Sequence, residues 1–167
     1  MHSYTYGKLV FWFCFLVASL LLSACNNQEV NNNYYLSLMG ESEEWKLHGY
    51  EVEITQENFK MGNGTLNMKT KNEYATDYFH FHTHMVINEE DRTVHSGSVT
   101  GPGIDISEET TGTNEGTYLD KDGESITFND ITDIYMIVEW WDPNKHEKME
   151  ERIDLYSKSK RDQTVQK

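Results

Sequence analysis

The run IYMIVEWWDPN, Ile134 to Asn144, decides the fold. Ile134, Met136, Val138 and Trp140 occupy alternate positions, and side chains two apart share one face of a strand, so this stretch reads as a strand whose apolar face these four residues form. Asp142-Pro143-Asn144 starts a turn running to Lys148: proline presets φ, and the Asp and Asn side chains bond their own backbone. Ile153 and Leu155 supply the apolar face of the returning arm. A hairpin with one apolar face must bury it against a second layer.

The same punctuation extends outward from this hairpin. Candidate strands run from Tyr34 to Met39 and from Trp45 to Thr55, where Tyr50, Val52 and Ile54 oppose Glu51 and Glu53. Thr65 to Lys71 follows an Asn63-Gly64 pair suited to a turn with positive φ. Tyr78 to Ile87 and Val94 to Thr100 are joined by a turn over Asn88 to Arg92. Thr100 to Glu115 reads as a loop, with Gly101-Pro102-Gly103 and several threonines and acids. Asp120-Lys121-Asp122-Gly123 separates two short candidates, Thr117 to Leu119 and Ser125 to Phe128. The chain holds two prolines and no i, i+3, i+4 apolar stripe of helical length. The expectation is an all-β domain over residues 34–156: an antiparallel β-sandwich, Ig-like or similar, of about seven to eight strands, or a small barrel.

Ahead of this domain stand an apolar run and then Leu22-Ser23-Ala24-Cys25. Leu9 to Leu22 is 14 residues with Ser19 as its one polar member. As a helix it would rise roughly 21 Å, short of the ~30 Å hydrocarbon core of a membrane but within the length of a signal peptide h-region. Lys8 provides the positive n-region, and no acid precedes Cys25. Residues 1–24 are therefore expected to be a lipoprotein signal peptide, with Cys25 the lipidated N-terminus, its sulfur carrying a diacylglyceryl group as a thioether. Two or more acyl chains, at about 0.8 kcal/mol per buried methylene, hold a protein on a membrane where one would not. The expected location is the extracytoplasmic face of the cell membrane.

This address constrains the chemistry. The two cysteines, Cys14 and Cys25, are spent on signal and anchor, leaving no thiol for a disulfide, a thiolate metal site or a nucleophile. Removal of residues 1–24 leaves 143 of the 167 residues; since Lys8 is the only charged residue removed, the formal charge moves from −14 to −15. That acidity excludes nucleic acid and flat adsorption on anionic lipid, both of which rest on basic residues. Residues 25–33 hold the lipidated Cys25 and the polar stretch NNQEVNNN, a flexible tether spanning about 15 Å on average and about 28 Å at most. Ser157 to Lys167 reads as a polar, frayed tail.

Gly40-Glu41-Ser42-Glu43-Glu44-Trp45 after a short strand, the Gly-rich middle from Ser96 to Gly103, and Val138-Glu139-Trp140 before Ile153-Asp154-Leu155 together resemble the small, uncharacterised lipoproteins of Bacillus and related Gram-positive bacteria. Here the last turn is longer, and the closing tryptophan is doubled as Trp140-Trp141. The resemblance implies an extracytoplasmic β-domain on a lipid anchor and brings no activity with it.

One constellation carries chemistry: Phe79-His80-Phe81-His82-Thr83-His84. On a strand His80, His82 and His84 stand on one face, while Phe79, Phe81 and Met85 point to the other. Imidazoles at i and i+2 can converge on one Zn or Cu ion, with a further ligand from a neighbouring strand, His95 or an acid such as Glu53. Clustered imidazoles also titrate between about pH 5 and 8, which suits sensing. The competing reading is three polar residues on a solvent-facing strand. Phe79 to His82 also resembles the zinc strand of α-type carbonic anhydrases, but the chain is much too short for that fold.

Other candidates are weaker. Asp120-x-Asp122-Gly123-Glu124 reads as a hairpin turn rather than a calcium loop, since it lacks the further oxygen ligands an EF-hand needs. Glu41, Glu43 and Glu44 read as a solvated loop. Of Trp45, Trp140 and Trp141, a carbohydrate platform would fall to Trp141, because Trp140 is in phase with the core. No serine-nucleophile, phosphate-loop or dinucleotide motif is present. The expected function is non-enzymatic: a lipid-anchored β-domain binding an unknown envelope protein or small ligand, or alternatively a Zn or Cu binding or sensing lipoprotein using His80, His82 and His84.

Overall fold

In the computed structural model, which describes residues 33–55 and 58–160, two antiparallel sheets pack face to face. The expected signal peptide, Cys25, the expected tether as far as residue 32 and residues 161–167 of the expected tail lie outside the described residues. Among the described residues there are ten strands: β1 (Tyr34–Glu41), β2 (Trp45–Ile54), β3 (Phe59–Gly62), β4 (Thr65–Met68), β5 (Ala75–Ile87), β6 (Glu90–Asp105), β7 (Glu108–Thr110), β8 (Thr113–Gly116), β9 (Ile131–Asp142) and β10 (Glu147–Ser157). The first sheet has the order β7-β4-β2-β3-β8, with β1 also on β2; the second has the order β10-β9-β5-β6.

The strand count exceeds the expected seven to eight for a local reason. The pairings Glu51↔Gly62 and His48↔Thr65 continue one register, so β3 and β4 are a single strand interrupted at Asn63-Gly64. The pairings Gly62↔Thr113 and Thr65↔Thr110 relate β8 and β7 in the same way. Counted as ribbons, the ten strands reduce to eight. Asn63 has the positive φ expected of it, 57°, but it kinks a continuing strand instead of closing a hairpin. Gly62 beside it has φ 131°, and a Cβ there would lie 2.0 Å from the Gly112 carbonyl oxygen, so the neighbouring interruption can approach only because residue 62 has no side chain.

The kink also settles which face of β2 is buried. Trp45 and Leu47 are core residues, and so are Tyr50, Val52 and Ile54, although the two sets differ in phase. His48 and Gly49, both exposed, absorb the change. The core then forms between the sheets, where Trp45 meets Phe79 at 5.5 Å and Trp140 at 5.7 Å between ring centroids.

Two expectations along the middle of the chain are corrected. Thr100 to Glu115 is not a loop: β6 runs on to Asp105, and β7 and β8 form the outer edge of the first sheet. Their polar side chains gave no alternation because their pairing is carried by backbone. Thr117 to Leu119 and Ser125 to Phe128 share only the bridge Leu119↔Ser125, and Phe128–Asp130 is a 3-10 turn. There the Asp130 carboxylate accepts from the Thr127 N–H at 2.8 Å and from its hydroxyl at 2.7 Å.

One side of the sandwich is closed and the other is bridged. On the closed side β1 lies against β10, and a Cβ on Gly40 would sit 2.5 Å from the Asp154 carbonyl oxygen. On the other side, Asn114 Nδ2 and Tyr118 OH both donate to the Val94 carbonyl of β6 at 2.8 Å.

Candidate metal centre on the outer sheet face

The alternation in β5 holds through the histidines. Phe79, Phe81, Thr83, Met85 and Ile87 are buried between the sheets, and His80, His82 and His84 line the outer face, each half-buried. Consecutive imidazoles meet edge to face along the strand, 5.1 Å between the His80 and His82 centroids and 5.0 Å between His82 and His84.

The third member of the group comes from β9. The pairing His80↔Glu139 and the antiphase of Glu139 to Trp140 bring its carboxylate onto the histidine face, where ligand atoms of His80, His82 and Glu139 all lie within 4.8 Å of one another. Around a tetrahedral ion with bonds of about 2.0–2.1 Å, ligand atoms sit roughly 3.4 Å apart. Side-chain rotation covers that difference.

Glu139 is held in place before any ion arrives. It is buried although it belongs to the outer face. Lys148 Nζ on β10 donates to Oε1 at 2.5 Å and Tyr78 OH donates to Oε2 at 3.0 Å. Burial opposes its charge, but these two donors and the Lys148 charge hold the carboxyl below the usual carboxylate range. Such orienting contacts are the normal surroundings of a metal-ligating carboxylate. Burial and the adjacent imidazoles of His84 and His80 push His82 below the ordinary histidine value, against the pull of Glu139 and Glu150. The ring is therefore neutral at pH 7, with its lone pair available to an ion.

The remaining sequence-proposed ligands are placed elsewhere. His84 is paired with Asp91, Nδ1 to Oδ1 at 2.8 Å, and stacked on Tyr135 at 4.8 Å and 7°. Tyr135 in turn donates to the other Asp91 oxygen at 2.5 Å and lies under the Arg152 guanidinium, 3.6 Å from its ring centroid. His95 does not join the histidine face. Thr83↔His95 and His84↔Thr93 leave Val94 as a bulge residue, and the bulge turns both Val94 and His95 into the core. His95 Nδ1 lies 2.8 Å from Tyr50 OH, which also donates to Thr83 Oγ1 at 3.1 Å. Glu53 belongs to the other sheet.

Sequence reasoning missed Glu139, Tyr78 and Lys148. The phase of β9 already puts Glu139 opposite Trp140, but not that β9 lies beside β5. Next to this cluster Trp141 is 37% exposed, whereas Trp140 is buried. Asp77, Tyr78, Trp141 and Lys148 bound a shallow hollow of about 440 Å³. Asp120 spends Oδ1 on the N–H groups of Asp122 and Glu124, as a hairpin turn requires. No family model, curated protein or solved structure matches the chain.

Proposed function

We propose that the protein is a non-enzymatic, lipid-anchored binding protein of the extracytoplasmic membrane face, tethered through Cys25, whose β-sandwich takes a Zn or Cu ion at His80, His82 and Glu139. The lipobox Leu22-Ser23-Ala24-Cys25 after a signal-length apolar run supports the location and the likeness to small Gram-positive lipoproteins. The convergence of two imidazoles and a pre-oriented carboxylate within 4.8 Å carries the metal reading. His84, engaged by Asp91, borders the site rather than completing it.

The test is a titration of the full chain in detergent micelles with Zn²⁺ and Cu²⁺, followed by calorimetry and thermal melting. One ion should bind per chain and raise the melting temperature, since an ion at about 100 times its Kd stabilises the folded state by about 2.7 kcal/mol. His82→Ala and Glu139→Gln should each lose at least about tenfold in affinity, roughly 1.4 kcal/mol. Absence of both heat and melting shift would sink the metal reading.

A further inference from the structure

The hollow borders the metal group through Tyr78 and Lys148, the two residues that hold Glu139. Lys148, which donates to Glu139, also lines the space bounded by Tyr78 and Trp141, and its Nζ stands 5.8 Å from the Tyr78 ring centroid. The hollow is shallow and open, a shelf that offers contact to one face of a small molecule. Its largest walls are aromatic.

Charge decides what fits there. Empty, the Glu139 carboxylate and the Lys148 ammonium offset each other. A divalent ion on His80, His82 and Glu139 adds positive charge beside Lys148, more than the neighbouring Glu139 carboxylate offsets, with the Asp77 and Glu150 carboxylates as the other acids at this place. The three protein ligands also leave a tetrahedral ion one position short. The neighbouring acids are not part of the ligand group: Asp77 accepts from the Gly103 N–H at 2.9 Å, and Glu150, paired across from Glu139 on β10, is not among the residues whose ligand atoms converge.

We propose that the metal-loaded face binds a small aromatic carboxylate, one oxygen of which takes the open coordination position and pairs with Lys148 while its ring lies on Trp141 and Tyr78. The inference rests on the metal reading above. Metal and anion then bind cooperatively, because each neutralises charge the other leaves exposed. Lys148 acts in both directions: it competes with the ion for Glu139 when the anion is absent, and it holds the anion when the ion is present.

Benzoate, a weak chelator in solution, is the probe, titrated into the zinc-loaded and zinc-free full chain in detergent micelles with tryptophan fluorescence and calorimetry as readouts. Benzoate should bind the zinc-loaded protein at least about tenfold more tightly than the zinc-free protein, about 1.4 kcal/mol. Trp141→Ala should keep stoichiometric zinc and lose at least about tenfold in benzoate affinity. Lys148→Met should separate the two ligands, tightening zinc while weakening benzoate. Failure of zinc to bind would overturn the metal reading and this inference with it. Stoichiometric zinc binding with no benzoate bound at about 10 mM, or with equal benzoate affinity with and without zinc, would overturn the anion site alone.

Discussion

Gly97 is the position at which the packing between the strands can be tested most sharply. It stands opposite Phe81 in the β5–β6 ladder, and a Cβ added to it would lie 2.4 Å from Phe81 Cε1 and 2.8 Å from Cζ. Phe81 has nowhere to go: it is buried, with its ring edge-on to His95 at 5.2 Å and 6.4 Å from Phe79. Overpacking of this kind costs roughly 1 to 3 kcal/mol, here at the upper end because the nearest atoms belong to a confined ring. Replacing glycine also removes freedom from the unfolded chain, which returns about 0.4 to 1 kcal/mol. Gly97→Ala should therefore destabilise by a net of roughly 2 kcal/mol, lowering the melting temperature by roughly 6 to 10 °C for a domain of this size. Urea unfolding of the single variants and of Gly97→Ala with Phe81→Leu measures the coupling. Leucine withdraws the two clashing ring atoms, so the double variant should be more stable than the sum of its parts by roughly 1 to 2 kcal/mol. A Gly97→Ala protein within about 0.5 kcal/mol of wild type, or strictly additive variants, would refute the contact as the reason for this glycine.

Gly62→Ala should be the more damaging glycine substitution, because its Cβ would meet backbone, the Gly112 carbonyl, in a positive-φ conformation; loss of soluble, folded protein by circular dichroism is the expected outcome. Tyr50→Phe removes the hydroxyl shared by His95 and Thr83 and should cost about 1 to 3 kcal/mol in urea unfolding, the penalty of buried polar atoms left unpaired. His95 also sets a pH dependence. Burial pushes its imidazole below the ordinary histidine value, opposed by its bond to the Thr111 backbone, so between that lowered value and about 6.5 the unfolded chain binds more protons than the native one. Its contribution is complete above about pH 6.5 and is lost as pH falls, at no more than about 1.4 kcal/mol per pH unit. His95→Gln should flatten the stability profile over that interval, and an unchanged profile would remove His95 as its source.

How far the sequence could be read depended on whether a strand buried a face. β5 alternates strongly, and β9 carries Ile134, Met136, Val138 and Trp140 at period two, so these core residues, the outward histidines and the burial of Trp140 beside an exposed Trp141 were all legible. β7 and β8 were not, since edge strands of threonine, asparagine and glutamate pair through backbone groups that carry no residue code. The inward turn of His95 depended on a bulge at Val94, and the double burial along β2 on a phase change at His48-Gly49. Each is a one-residue event that reverses every facing beyond it.

From the chain alone come the all-β character, the histidine face and an expected address at Cys25, because period-two alternation and signal-peptide chemistry are local properties. Which carboxylate joins the histidines was decided only by the tertiary structure. Glu139 lies 59 positions from His80 and reaches it because β9 is inserted between β5 and β10, and strand order is fixed by the joint burial of both sheets, not by any residue that takes part in the site.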